Sequence, residues 1–195
     1  VAKMTSDISG YRKYEQKSFQ SSAALNYDFG TISPLLKGLT AKAMYSFDYK
    51  MNDNSIYRKE YYQYAYDELT QTYNQKLYNL SSPSNLKREF YSKQQTLAQV
   101  LLNYDRAFGE HNINAVLGGE TQRRIGDNFY AQRNLAFSTD YLFAGVEDGQ
   151  VGNMYTGNND LYELANSAAV GRLNYSYGSR YIAEVQFRYD GSSRF

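Results

Sequence analysis

Apolar and polar residues alternate with a period of two along the closing stretch of this chain. In residues 169–177, Ala169, Gly171, Leu173, Tyr175 and Tyr177 fall on one face, and Arg172, Asn174 and Ser176 on the other. After Gly178, Ser179 and Arg180, a second stretch repeats the pattern. Tyr181, Ala183, Val185, Phe187 and Tyr189 share a face opposite Glu184, Gln186, Arg188 and Asp190. Period two belongs to a β-strand with two unlike faces, so these stretches predict a hairpin whose apolar side lies against a protein core or a lipid bilayer.

Four further stretches carry the same alternation. Ala23, Leu25, Tyr27 and Phe29 form one apolar row, and Leu39, Ala41, Ala43, Tyr45, Phe47 and Tyr49 form a second, against Thr40, Lys42, Ser46, Asp48 and Lys50. Ala98, Val100, Leu102 and Tyr104 oppose Gln99, Asn103 and Asp105; beyond a tight Gly109-Glu110 turn, Ile113, Ala115 and Leu117 oppose Asn112, Asn114 and Glu120. The pattern predicts strands near 18–29, 39–50, 94–108, 112–123, 167–177 and 181–190. They form three hairpins with short inner turns, separated by long polar loops over 51–93 and 124–166. Short turns alternating with long loops are the arrangement of outer-membrane barrels, whereas loops beyond about 15 residues are unusual in compact soluble domains. Tyr and Phe gather toward the strand ends with Ala, Leu and Val between them, as aromatic girdles at two membrane interfaces require. The competing reading is a soluble sandwich whose terminal Tyr residues are amphipathic edge positions.

Composition narrows the choice. The 195 residues include 22 Tyr and 10 Phe but no Trp and only two Pro, a balance suited to half-apolar strands. Mean hydropathy is −0.68, yet this does not argue against a barrel, because only every second residue meets lipid. No apolar run reaches the roughly 18 residues of a helical span, and no leader is visible at Val1. A net charge of +1 implies no nucleic-acid partner, and the absence of Cys excludes disulfides and thiolate metal sites. Six strands cannot close a barrel in lipid, where unpaired backbone groups cost several kcal/mol. Residues 1–195 are therefore expected to form part of one larger all-β barrel, with further strands on both sides and no second domain or linker within.

Candidate chemistry is sparse. His111 is the single His, no Ser sits in a G-x-S-x-G elbow, and the pairs Asp67/Glu68 and Glu147/Asp148 lie in loops, so no catalytic residue is assigned. Gly145, Asp148, Gly149, Gly152, Gly157, Asn158, Asn159 and Asp160 offer oxygen ligands without the spacing of a calcium loop, and ordinary turn chemistry is the expectation; no metal or cofactor is assigned. The 51–93 loop holds Tyr57, Tyr61, Tyr62, Tyr64, Tyr66 and Tyr73, flat rings with polar tips that suit contact with a substrate or partner. The alternation of Tyr62, Tyr64 and Tyr66 equally suits an extended strand packing the loop on its neighbours, and a short helix within 57–78 is a third option. Arg172, Asn174, Glu184, Gln186 and Arg188, with Lys42, Asp48, Asn103, Asp105, Asn114 and Glu120, are the candidate lumen-facing set; opposite charges pairing across strands is the plainer account of them.

Gly171-Arg172-Leu173-Asn174-Tyr175-Ser176-Tyr177, Arg180-Tyr181 and Arg188-Tyr189-Asp190-Gly191-Ser192-Ser193-Arg194-Phe195 resemble the signature hairpin of the SusC/RagA family of TonB-dependent outer-membrane transporters. Ser9-Gly10-Tyr11, Leu36-Lys37-Gly38-Leu39, Leu102-Asn103-Tyr104, Phe108-Gly109 and His111 are similar to family patterns in the same order. The resemblance implies a 22-stranded barrel in the bacterial outer membrane that imports glycans or peptides, driven by TonB through a plug absent from this chain, beneath a SusD-like surface lipoprotein. A passive channel or an adhesin barrel is the alternative. Within the signature, Asp190 and the serines are expected to bond the local backbone at a strand exit, Gly191 to relieve a restricted φ there, and Arg194 to anchor the exit.

Overall fold

The computed structural model describes residues 5–157 and 160–193. Its main element is one antiparallel sheet in the order β1 (Gly10–Asp28), β2 (Leu39–Arg58), β5 (Asn85–Phe108), β6 (His111–Asn134), β8 (Tyr162–Tyr177) and β9 (Tyr181–Ser192). A short strand, β7 (Val151–Asn153), adds to β6, and β3 (Tyr62–Asp67) with β4 (Thr72–Leu77) makes a separate two-stranded sheet. One helical turn, Ser6–Ser9, precedes β1.

Five strands of the main sheet contain the stretch their alternation predicts, β1 stops one residue short at Asp28 with Phe29 in a 3-10 turn, and most run well past the prediction at the other end. β5 and β6 have 24 residues each, roughly 80 Å at about 3.3 Å per residue, whereas a tilted strand crosses a bilayer in about 9–11 residues. The apparent loops 51–93 and 124–166 therefore begin and end as strand: β2 continues to Arg58, β5 starts at Asn85, β6 continues to Asn134 and β8 starts at Tyr162. In these extensions charged, aromatic and aliphatic residues mix along each face. The apolar signal that betrays a lipid-facing strand is lost there, although the backbone ladder is not.

The chain divides into two compact units. One comprises residues 18–50, 93–126 and 162–195, and contains the turns that join β1 to β2, β5 to β6 and β8 to β9. Its register is that of consecutive hairpins: Leu173 lies opposite Val185 and Ala115, Arg172 opposite Gln186 and Val116, and Asn174 opposite Glu184 and Asn114. One face carries exposed Leu25, Val100, Leu102, Leu117, Leu173, Val185, Phe187 and Tyr189. Two glycines on this sheet are covered by rings from the facing strand: a Cβ on Gly171 would lie 2.1 Å from the Phe187 ring, and one on Gly126 would lie 2.4 Å from the Tyr162 ring. Each ring fills the space that its partner's missing side chain leaves. The turns are just as specific. Gly109 takes φ +60° in the two-residue β5–β6 connection, as primed hairpin turns demand. At φ +89°, Gly38 approaches the Asp105 carbonyl so closely that a Cβ would sit 2.1 Å from its oxygen.

The other unit comprises residues 1–17, 51–92 and 127–161. It holds the buried apolar cluster of Tyr57, Leu86 and Leu135, flanked by Tyr11 and Leu142. Tyr11 meets the Tyr57 ring edge-on at 5.6 Å, and Phe90 stacks on Phe129 at 5.3 Å. Where β6 extends past its pairing with β8, which ends at Gly126–Tyr162, β7 takes over as its neighbour through Tyr130–Asn153, Ala131–Gly152 and Gln132–Val151. The β6–β8 connection thus caps a strand edge that would otherwise be open.

Candidate functional site

Three arrangements of polar and aromatic side chains stand out, each within one unit. The first is the polar face of the 18–50, 93–126, 162–195 unit. Arg172 and Glu184 pair at 3.3 Å, and Asn174 fits between them, with its amide nitrogen 2.8 Å from Glu184 and its oxygen 3.0 Å from Arg172. Arg188 bridges Glu120 at 2.9 Å and Asp190 at 2.8 Å, while the Gln99 amide donates to Glu120 at 2.8 Å and the Asn114 amide to Asp105 at 3.0 Å. Glu120, Gln122, Asn166, Arg188, Asp190 and Ser192 border a groove of about 340 Å³. The candidates Arg172, Asn174, Glu184, Gln186 and Arg188 therefore share one face, and all but Gln186 lie in cross-strand networks of opposite charge. That is the plainer account of them, and it leaves a face that is polar yet nearly neutral.

The signature tail ends this sheet. Ser193 continues the β8–β9 ladder in both directions: its amide donates to the Ala165 carbonyl at 2.8 Å, and its hydroxyl accepts from the Ala165 amide at 2.8 Å. Gly191 corrects one expectation. β9 runs through it to Ser192 without a positive φ, and a Cβ there would meet nothing nearer than the Ser167 carbonyl at 3.8 Å. The glycine relieves no backbone restriction. Arg194 and Phe195 lie outside the described residues.

The second arrangement is the tyrosine hairpin of β3 and β4. Its register pairs Tyr62 with Leu77, Tyr64 with Gln75 and Tyr66 with Tyr73. Alternation puts all six side chains on one face, where Tyr62, Tyr64, Tyr66 and Tyr73 are exposed. Tyr66 and Tyr73 lie 5.2 Å apart. At the tip, the Asp67 carboxylate accepts from the Leu69 amide at 3.0 Å, and that bond holds it below the usual carboxylate range. Residues 62–77 are extended rather than helical, so the alternation prevails over the helix option. Tyr61 and Tyr57 leave the candidate set. Tyr61 stacks on Tyr78 at 5.1 Å. Tyr57, only 5% exposed, belongs to the buried cluster, with its hydroxyl 3.2 Å from that of Ser138. It sits on β2 rather than in a loop, and its ring faces are spent on packing.

The third arrangement escaped sequence reasoning. On β5, Leu86 is buried in the apolar cluster, while Lys87, Glu89 and Tyr91 project from the opposite face. There Tyr155, from the β6–β8 connection, stacks on Tyr91 (5.6 Å, 9° between planes) and packs on Tyr130 (4.8 Å). The Tyr155 hydroxyl donates to Glu89 at 2.7 Å and accepts from Lys87, whose ammonium lies 2.8 Å from Glu89 and 4.3 Å from the Tyr130 ring centroid. The Asn54 amide donates to the second Glu89 oxygen at 3.2 Å. Buried Asn128 reads the backbone of Tyr155, accepting from its amide at 2.6 Å and donating to its carbonyl at 2.9 Å and to that of Asp160 at 3.0 Å. Burial opposes charge on Glu89, but the bonds from Lys87, Tyr155 and Asn54 outweigh it and lower its pKa. Burial likewise pulls Lys87 down, and its bonds to Glu89 and Tyr155 reverse that to leave it raised. The Tyr91 phenol is pushed up, chiefly by burial. The sequence signal was a continued period of two in Lys87-x-Glu89-x-Tyr91, hidden because its partner face is not uniformly apolar. In the same connection Asp160 donates from its amide to the Gly157 carbonyl at 2.9 Å, which is turn chemistry; Asn158 and Asn159 lie outside the described residues.

Comparison with known proteins places these features. No family model matches the chain. TonB-dependent receptor P3 of Formosa agariphila is 30% identical over 108 residues, covering 55% of this chain and 10% of that receptor. Among solved structures, the RagAB peptide transporter superposes with a TM-score of 0.67 at 19% identity over 94% of this chain, and the RagAB peptide importer in its open-open state with 0.64 at 20%. The chain spans 18% of each of those neighbours, so it corresponds to a fraction of a much larger molecule. The chain is thus similar in sequence to part of a TonB-dependent receptor and shares its antiparallel β fold with a segment of the RagAB transporter.

Proposed function

We propose that this segment belongs to an outer-membrane transporter that imports large nutrients, glycans or peptides, using energy delivered through TonB. A SusD-like surface lipoprotein is its expected partner. The observation that most supports this reading is the two-faced wall of residues 18–50, 93–126 and 162–193. Its apolar face suits lipid, and its other face is polar but internally neutralised, which suits a wide aqueous lumen or a plug better than a dry core. Arg172, Asn174, Glu184, Gln186 and Arg188 are assigned to that lumen face. The exposed Tyr62, Tyr64, Tyr66 and Tyr73 are assigned to contact with cargo or lipoprotein, because flat rings with hydroxyl tips stack on sugar rings and peptide groups alike.

Deletion of the full-length gene, followed by growth on a panel of glycans and peptides, tests the reading. Loss of growth on one nutrient class, reproduced by removal of TonB, is the expected result. Uptake that survives without TonB would instead establish a passive channel. Replacing Tyr62, Tyr64, Tyr66 and Tyr73 together by Ala should reduce uptake at limiting nutrient about tenfold or more while leaving barrel assembly intact, since each ring contact is worth about 0.5–1.5 kcal/mol. Unchanged uptake would leave those tyrosines as structure alone.

A further inference from the structure

The β6–β8 connection grips both faces of the sheet formed by β5 and β6, and the two grips differ in kind. Its first part, residues 135–144, is anchored by the apolar side chains of Leu135 and Leu142, while Phe137, Tyr141 and Phe143 are exposed. Leu135 packs with Tyr57 and Leu86, Leu142 covers them, and Ser138 and Asp140 bond the hydroxyls of Tyr57 and Tyr11 at 3.2 and 3.1 Å. Its second part is held otherwise. From Val146 to Gly157 every residue is exposed except Tyr155. Along that stretch the backbone meets β6 at Val146, whose amide donates to the Asn134 carbonyl at 2.9 Å, through the three pairs of β7, and at Tyr155, whose amide and carbonyl bond the Asn128 side chain; Tyr155 is the side chain that goes in.

We propose that residues 146–157 form a strap and that Tyr155 is its latch. Withdrawing the ring empties the slot between Tyr91 and Tyr130 and leaves the strap only the bonds of Val146, β7 and Asn128, while residues 135–144 stay packed. The slot is not a dry core pocket. Lys87, Glu89, Asn54 and Asn128 line it, and each can exchange its bond to Tyr155 or to a neighbour for a bond to water. Opening uncovers the ring faces of Tyr91 and Tyr130 but leaves the Tyr57, Leu86 and Leu135 cluster closed, so it is a local release that costs less than global unfolding. Gly145 and Gly149 lie close against Arg133 and Asn134, whereas a Cβ at Gly152 would meet nothing within 4 Å, so the strap's backbone is freest beside Tyr155. The strap's motion does not depend on what the transporter carries.

Hydrogen exchange on the full-length protein in lipid vesicles tests this without reference to transport. Tyr155→Ala should accelerate exchange across residues 151–157 by about tenfold or more, since it removes ring stacking and two hydroxyl bonds. Residues 135–144 should stay within about twofold. Tyr155→Phe keeps the stacking and loses the hydroxyl, so it should fall between the two. Because the segment has no native Cys, a disulfide between Ala131→Cys and Gly152→Cys, partners in register, should return the Tyr155→Ala protein to the slow exchange of the wild type. Unchanged exchange in Tyr155→Ala and Tyr155→Phe would overturn the latch. So would equal acceleration of residues 135–144, which would mean that the whole connection moves as one.

Discussion

The two units solve the same problem, keeping long strands paired, with opposite means. Residues 18–50, 93–126 and 162–193 have almost no buried side chains; their apolar face is exposed, and their polar face is tied by ion pairs. Residues 5–17, 51–92 and 127–157 instead have a small core of Tyr57, Leu86 and Leu135 and a buried polar knot around Glu89 and Asn128. The first pattern makes sense if lipid supplies the missing burial. The second is what a strand sheet needs in water, where it must bury side chains of its own. One backbone architecture thus carries two patterns of burial, and the side chains alone report which is which.

The largest effect should come from putting charge on the exposed apolar face. Leu173 lies mid-sheet between Val185 and Ala115, and Leu173→Arg should cost about 2–4 kcal/mol if that position faces the bilayer midplane. Reversible unfolding of the full-length barrel from lipid vesicles measures it. A cost near zero would mean that this face meets water, and the contrast between the units would collapse. Leu86→Ala should be next, at about 2–3 kcal/mol, the lower part of the usual range because the cluster is small and can relax. Its signature is local: protease cuts should appear within residues 51–92 and 127–157 while the membrane fraction and heat-modifiable migration stay unchanged. A loss of barrel assembly would show that the apolar cluster supports the whole structure.

The same contrast explains what could be read in advance. The β8–β9 hairpin was legible to its turn and its two faces, because unlike faces impose opposite demands on neighbouring residues and write them as alternation. The extensions of β2, β5, β6 and β8 were not. Arg88 and Asp53 pair at 2.7 Å on the face that Leu86 and Tyr57 share, so charge and apolar side chains stand in one row and blur the period. Tyr57 looked like its neighbours in a tyrosine-rich stretch, and only a partner 78 residues away, Leu135, removes it from the surface. The knot around Tyr155 was the least legible of all. It joins Asn54, Lys87, Asn128 and Tyr155 from four places far apart in the chain, and no local spacing encodes such a meeting.

The smallest effect concerns that knot and is set by pH. Glu89 is buried and titrates below the ordinary carboxylate range, because the bonds from Lys87, Tyr155 and Asn54 to its charged form outweigh desolvation. A lowered folded-state pKa means that the stabilisation is complete above the unfolded value, about 4.3 for Glu, and is lost as pH falls through the folded one. Raised Lys87 has the reverse sign: its contribution is complete below the unfolded value near 10.4 and fades only as pH climbs past it, so both are intact at neutrality. Hydrogen exchange at residues 86–91, corrected for the intrinsic rate, should therefore stay flat from pH 9 down to about 5 and accelerate at lower pH. Asp67 shifts in the same direction but lies in the β3–β4 turn, outside this knot. Glu89→Gln isolates the carboxylate: it should loosen residues 86–91 modestly at neutral pH and remove most of their acid acceleration. An acid limb as steep in Glu89→Gln as in the wild type would assign that acceleration to other carboxylates. The knot would then be held by the stacked rings of Tyr91, Tyr130 and Tyr155 rather than by its ion pair.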